Sequence, residues 1–197
     1  MVSLSQTESE GSTSPILNFL SIDPGDIHQG TAYFEIDIAY NAETRTGDPS
    51  LICHWTRDLT RAKLLTLVEE ANIDALVVEK YVLYPWMARE QGYSDFPTVK
   101  VIGVLEYIAE VRGIPIFIQG ADIKKKSRRI GERSGFPGAI RMIGTGQGRY
   151  RGWDYHGPSQ HERDATAHGV WWAFRHPASV IRNKDLHKQC KLVRRMG

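Results

Sequence analysis

Cysteine is nearly absent from the 197 residues. Cys53 and Cys190 stand far apart and form neither a disulfide framework nor a zinc-ligand spacing. That argues against a disulfide-stapled secreted scaffold and fits a reducing, intracellular compartment. No run of about 18 apolar residues occurs, so no membrane span is expected. The opening MVSLSQTESEGSTSP lacks the basic and apolar blocks of a signal peptide, and residues 1–15 read as a disordered polar leader. No internal repeat is visible. Acidic residues are scarce in two segments. Residues 121–152 carry nine Lys/Arg against Asp122 and Glu132, and residues 175–197 carry seven against Asp185. The remainder is strongly acidic, so a net charge of +2 hides a segregation that points to a polyanionic partner. Solvated loops and a soluble tail are the plainer alternative. The length suits one domain with a substantial core, spanning residues 16–176, followed by a basic tail over 177–197.

What is present reads as an α/β chain. Residues 16–23 (ILNFLSID) and 30–38 (GTAYFEIDI) read as strands joined by a Pro-Gly turn, and residues 50–56 as a third strand. Leu59, Ala62, Leu65 and Val68 fall at helical spacing over 58–71, with Asp58 as N-cap. ALVVE at 75–79 predicts a buried strand. The apolar segment 98–112 predicts a helix stopped by Gly113, and IPIFI at 114–118 an edge strand with a proline at its start. Residues 121–130 read as a short basic helix, 131–158 as a long glycine-rich loop, and 160–175 as a further helix ended by Pro177. The order implies an antiparallel start and parallel strands later.

Two of these apolar strands end in acids, Asp23 and Glu79. At the C-terminal ends of neighbouring strands such carboxylates face the crevice where ligands bind, provided the fold brings strands one and four together. His161, Asp164 and His168 lie at i, i+3 and i+7, along one helical face. Clustered carboxylates repel one another and imply a cation. Hard oxygen donors suit Mg²⁺ or Mn²⁺, and a histidine leans toward Mn²⁺. Two such ions can activate water and stabilise the leaving oxygen of a phosphodiester, which beside a basic segment is nuclease chemistry. Each residue also has a plainer role: Asp23 as a turn-starting acid, Glu79 as an ion-pair partner, Asp164 as a helix-start acid favoured by the dipole, His161 and His168 as packing histidines.

The motifs IDPG at 22–25 with Gly30, LVVE at 76–79 and HERDA at 161–165 resemble the RuvC-type Holliday junction resolvases of the ribonuclease H-like superfamily, and most resemble bacteriophage-encoded members. The resemblance covers roughly residues 16–176. It implies a ribonuclease H-like fold, a five-stranded mixed sheet flanked by helices. It implies two Mg²⁺ or Mn²⁺ ions per site held by Asp23, Glu79 and Asp164, with His161 standing where many members have aspartate. The family's last helix continues with alanine and leucine where this chain has Thr166 and His168, which leaves His168 without a family role. DIKKKSRRIG at 122–131 resembles the family segment whose lysine approaches the cleaved backbone. Lys124 is the best match, with Lys125 and Lys126 as substitutes. The family also places an aromatic beside unpaired bases at the crossover. Tyr81 lies one residue from that position, and Tyr84 or Trp86 could serve instead.

The implied protein is thus a structure-selective endodeoxyribonuclease, catalytic through Asp23, Glu79, His161, Asp164 and Lys124. Tyr81, Lys125, Lys126, Arg128, Arg129, Arg149 and Arg151 would meet branched DNA. It is expected to act as a homodimer, with no membrane partner, in the cytoplasm, that of a bacterial host if it is phage-encoded. The apolar helix 98–112 is the expected dimer interface, although core burial also explains its composition. Two rivals stand beside this reading. An actin-like ATP-binding enzyme would need a second phosphate-binding turn, and GTGQG at 144–148 has no strand before it and no Lys-Ser after it. A catalytically inactive branched-DNA-binding protein of the same fold would have no need for acids at all three carboxylate positions.

Overall fold

The computed structural model describes residues 16–37, 50–81, 96–134, 139–142, 152–155 and 157–175. The expected leader and basic tail lie outside the described residues, as do Tyr84, Trp86, Arg149 and Arg151. Three strands come first: β1 (Ile16–Pro24), β2 (His28–Asp37) and β3 (Ser50–Thr60). They are followed by α1 (Arg61–Glu70), β4 (Ala75–Glu79), α2 (Pro97–Arg112), β5 (Ile116–Gln119) and α3 (Ile123–Ser134). A small pair, β6 (Ala139–Met142) and β7 (Gly152–Tyr155), precedes α4 (Gln160–Arg175).

The main sheet has the order β3-β2-β1-β4-β5. β1 pairs antiparallel with β2 and parallel with β4, and β4 pairs parallel with β5. β1 is therefore central, which is why its residues from Phe19 to Asp23 are all buried. Side-chain parity sorts them onto two faces. Leu17, Phe19, Ala75 and Val77 pack with Ala165, Val170 and Trp172 of α4. Leu20, Ile22, Leu76 and Val78 pack with Leu64 and Val68 of α1 and Val101 and Leu105 of α2. Phe19 stacks on its cross-strand partner Phe34 at 4.9 Å and meets the ring of Trp172 at 4.5 Å. Aromatic pairs of this kind contribute about 0.5–1.5 kcal/mol beyond their buried area.

Parity also aims the acids. Asp23 shares the parity of Leu17 and Phe19, and Glu79 that of Ala75 and Val77, so both carboxylates face α4. That helix crosses β2 at Gly30, where a Cβ would collide with the backbone of His161. A side chain at residue 30 would lift α4 and its acid away from the strand tips.

Several boundaries differ from the sequence expectation. β3 runs on to Thr60, and Asp58 is a strand residue opposite Gly30 instead of a helix cap. α1 starts at Arg61 with Thr60 at the N-cap, and it buries Leu64 with Val68. The polar edge of a sheet needs no apolar alternation, which hides the end of β3. The expected loop 131–158 contains the last turn of α3 and the β6–β7 pair. Tyr155 of β7 is fully buried, and its hydroxyl donates to the backbone carbonyl of Ser127 in α3 at 2.7 Å. β5 is an edge strand at 116–119, just after Pro115, and α2 ends at Gly113 in the left-handed region (φ 66°).

Candidate active site

The C-terminal ends of β1 and β4 place Asp23 and Glu79 side by side, because the two strands are parallel neighbours. α4 delivers the third acid from above. Its start is fixed by Ser159, whose hydroxyl accepts the backbone N–H of Glu162. Buried Glu162 in turn accepts a hydrogen bond from Thr56 of β3 at 2.6 Å. With the helix seated, Asp164 and His161 project over the strand tips. His161 Nδ1 lies 2.7 Å from Asp23 Oδ2. Lys124 of α3 reaches in from the side, with its Nζ 2.8 Å from both Glu79 Oε2 and Asp164 Oδ2. Gln160 donates to the other oxygen of Asp164 at 2.9 Å.

Asp23, Glu79 and Asp164 are all buried, so their charges interact strongly. Burial lifts the Asp23 carboxyl to about 7, against the pull of His161, and the neighbouring Glu79 carboxylate raises it further. Burial alone would raise Glu79 too. The close approach of His168 and Asp23 and the charge of Lys124 bring it instead to about 2. Burial and mutual repulsion thus push the two carboxyls apart, Asp23 up and Glu79 down. Burial disfavours the charge on Lys124, but Glu79 and Asp164 outweigh it and hold the ammonium above its ordinary pKa. The hydrogen bond to Asp23 raises His161 against partial burial.

A divalent cation fits the chemistry of this donor set. Glu79 Oε2 is buried with no aligned hydrogen bond, although two nitrogens lie near it. Burial and the Glu79 carboxylate raise the Asp23 carboxyl beside it to about 7, a cost that a bound cation would relieve. Among the described residues no three acids or imidazoles already close on one point. Lys124 stands between Glu79 and Asp164, so its ammonium does there what a metal ion would do.

Of the residues singled out in the sequence, the structure brings together Asp23, Glu79, His161, Asp164 and Lys124. Tyr81 follows Glu79 at the rim and packs against Phe96. With Asp23, Glu79 and Thr98 it lines a cavity of about 200 Å³. Arg128 lies 3.9 Å from Asp164. Arg129 is exposed, and Lys126 pairs with Asp122 at 2.8 Å on the surface of α3. Lys125 is exposed on the same helix. His168, which had no assigned role, is fully buried beneath Glu79. Its i+7 spacing from His161 was the available signal.

No protein-family model matches the chain, and no curated protein matches it in sequence. Solved structures do match. The Thermus thermophilus RuvC structure aligns over 83% of this chain and 98% of its own, with 15% identity and a TM-score of 0.53. T. thermophilus RuvC in complex with a Holliday junction substrate aligns over 80% of this chain and 94% of its own, with 15% identity and a TM-score of 0.51. The fold is therefore ribonuclease H-like, with the five-stranded mixed sheet and flanking helices that the sequence implied.

Proposed function

We propose that the protein is a metal-dependent endonuclease that nicks Holliday junctions and other branched DNA by hydrolysing phosphodiester bonds. The observation that carries this reading is the meeting of Asp23, Glu79, Asp164 and His161 at one end of the sheet, with Lys124 among them and a basic helix alongside. The resemblance of its structure to RuvC, including RuvC in complex with a Holliday junction substrate, supports the choice of branched DNA.

Asp23, Glu79 and Asp164, with His161, would hold Mg²⁺ or Mn²⁺, two ions per site. Such ions supply water activation and charge for the leaving oxygen. The protein's own groups do the rest. Lys124 neutralises charge that builds on the scissile phosphate. His161, hydrogen-bonded to Asp23 through Nδ1 and partly open to solvent, serves through Nε2 either as the fourth ligand or, in its place, as the general base that takes a proton. Tyr81 offers a ring at the rim to an unpaired base. Lys125, Lys126, Arg128 and Arg129, with Arg149 and Arg151, bind phosphates along the arms, so affinity falls steeply with salt. A homodimer matches two sites to a two-fold junction. The exposed Val104, Tyr107 and Val111 of α2 give it an apolar face. The reading extends to a bacteriophage-type resolvase acting in a bacterial cytoplasm on recombination or replication intermediates.

The test uses a labelled four-way junction, a matched linear duplex and a flap, with and without Mg²⁺ or Mn²⁺. Paired symmetric nicks in the junction, lost in Asp23→Asn, are expected. Cutting of the flap widens the substrate class. Junction binding without metal-dependent cutting in the wild type sinks the enzyme reading and leaves a binding protein.

A further inference from the structure

We infer that His168 is a positioning residue: its buried imidazole holds Glu79 in the cleft, while Gln119 holds the imidazole. The inference rests on the nuclease reading above and extends it to a residue outside the cleft.

His168 lies one helical turn after Asp164 on α4 and is completely buried. A histidine at such a depth needs polar partners, because burying an unpaired imidazole nitrogen is costly. Both its nitrogens face one. Nδ1 lies 3.0 Å from the side-chain amide of Gln119, and Nε2, which makes no aligned hydrogen bond, has Glu79 Oε2 as a neighbour at 3.1 Å. Glu79 and Gln119 are in register at the ends of the parallel strands β4 and β5. The backbone N–H of Lys80 donates to the carbonyl of Gln119, so the two strand ends are tied to each other as well. One imidazole from α4 thus spans two strand ends at the level where the cleft begins.

The chemistry sets the direction of the contact. Ionised Glu79 only accepts, so Nε2 carries the proton that faces it. Nδ1 then either receives the Gln119 amide N–H or, in the imidazolium, donates to the amide oxygen, an assignment that a turn of the amide exchanges. In both cases Nε2–H faces Glu79. Glu79 is held from beneath by His168 and from the cleft side by Lys124. α4 therefore supplies Asp164 to the cleft and, four residues later, the support under the neighbouring acid. A core histidine satisfied by Gln119 alone would have no need of Nε2 near the carboxylate.

The test compares full-length His168→Gln and His168→Asn. Gln places its amide nitrogen near the position of Nε2 and can still reach Glu79. Asn places it near Nδ1 and reaches only Gln119. Mn²⁺ binding, read by the spin-resonance signal of the free ion, is expected to stay within about threefold of wild type for Gln. For Asn it is expected to weaken about 10–100-fold, as for other outer-shell partners. Equal Mn²⁺ affinity in the two variants overturns the proposal. The imidazole ¹H–¹⁵N spectrum of the metal-free protein is a second readout, with the His168 signals assigned by their loss in His168→Gln. A protonated Nε2 that shifts in Glu79→Gln is expected, and an Nε2 signal unmoved by that change overturns the contact. A wild type that takes up no Mn²⁺ overturns the metal-dependent reading instead, and the imidazole spectrum then decides the His168 contact by itself.

Discussion

His161 and Asp23 are 138 residues apart in sequence and 2.7 Å apart in space. The hydrogen bond joins α4 to the tip of β1, the central strand, and it depends on glycine at residue 30, directly beneath the helix.

Replacing that glycine is the most direct structural test. Gly30→Ala sets a methyl group against the His161 backbone, and overpacking of this kind costs about 1–3 kcal/mol. The melting temperature is expected to fall by several degrees, and Mn²⁺ affinity with it, because the helix carrying Asp164 must move.

Asp23→Asn keeps the shape of the side chain and removes its charge. Junction cutting is expected to fall by at least on the order of 10³-fold, beyond the 10–100-fold seen on losing an outer-shell partner. Junction binding in a gel-shift assay should be unchanged or tighter. Stability without metal at about pH 5 should not fall, since a carboxyl raised to about 7 is largely protonated there.

The pH dependence of metal-free stability follows from the same site. Asp23 is raised from 3.8 to about 7, so its contribution is full below about pH 4 and is lost as pH rises toward 7. His161, also raised, adds a loss in the same direction above its ordinary 6.5. Glu79, lowered from 4.5 to about 2, contributes above pH 4.5 and loses that contribution as pH falls toward 2. Thermal melts in the absence of metal should therefore show the site's contribution peaking near pH 4–5. Asp23→Asn should flatten the decline toward neutral pH, and saturating Mg²⁺ should make it shallower.

Lys124 gives a metal-linked signature. Lys124→Met removes the ammonium shared by Glu79 and Asp164, leaving two buried carboxylates without their counter-charge. The melting temperature without metal should drop, and added Mg²⁺ should restore more stability than in the wild type. Cutting should slow by about 10²–10³-fold, the scale for losing one donor to a developing oxyanion.

On the DNA side, Arg129 is exposed on α3. If it meets one phosphate, Arg129→Ala should weaken junction and duplex binding alike and reduce the salt slope by about 0.9. A fluorescence-anisotropy titration at several salt concentrations reads both quantities.

Much of this site was legible in the sequence because it rests on short-range rules. ILNFLSID and ALVVE are apolar enough to be buried strands, and a carboxylate ending each marks a strand tip. The i, i+3, i+7 spacing placed His161, Asp164 and His168 on one face, and the structure turns that face to the sheet. What stayed hidden depends on packing across the chain. Asp58 looked like a cap because strand β3 ends on a polar edge. The β6–β7 pair was invisible because its strands are short and carry little alternation. His168 had no role until β4 and β5 brought Glu79 and Gln119 together beside it.

The three acids come from β1, β4 and α4, and α4 also closes one face of the core through Trp172 and Val170. A nascent chain that has left the ribosome only through β5 holds every strand of the main sheet, yet lacks Asp164, His161 and Lys124. Completing the core and completing the site are then a single event during synthesis. On the proposed reading, a partly made chain holds the sheet without a complete site.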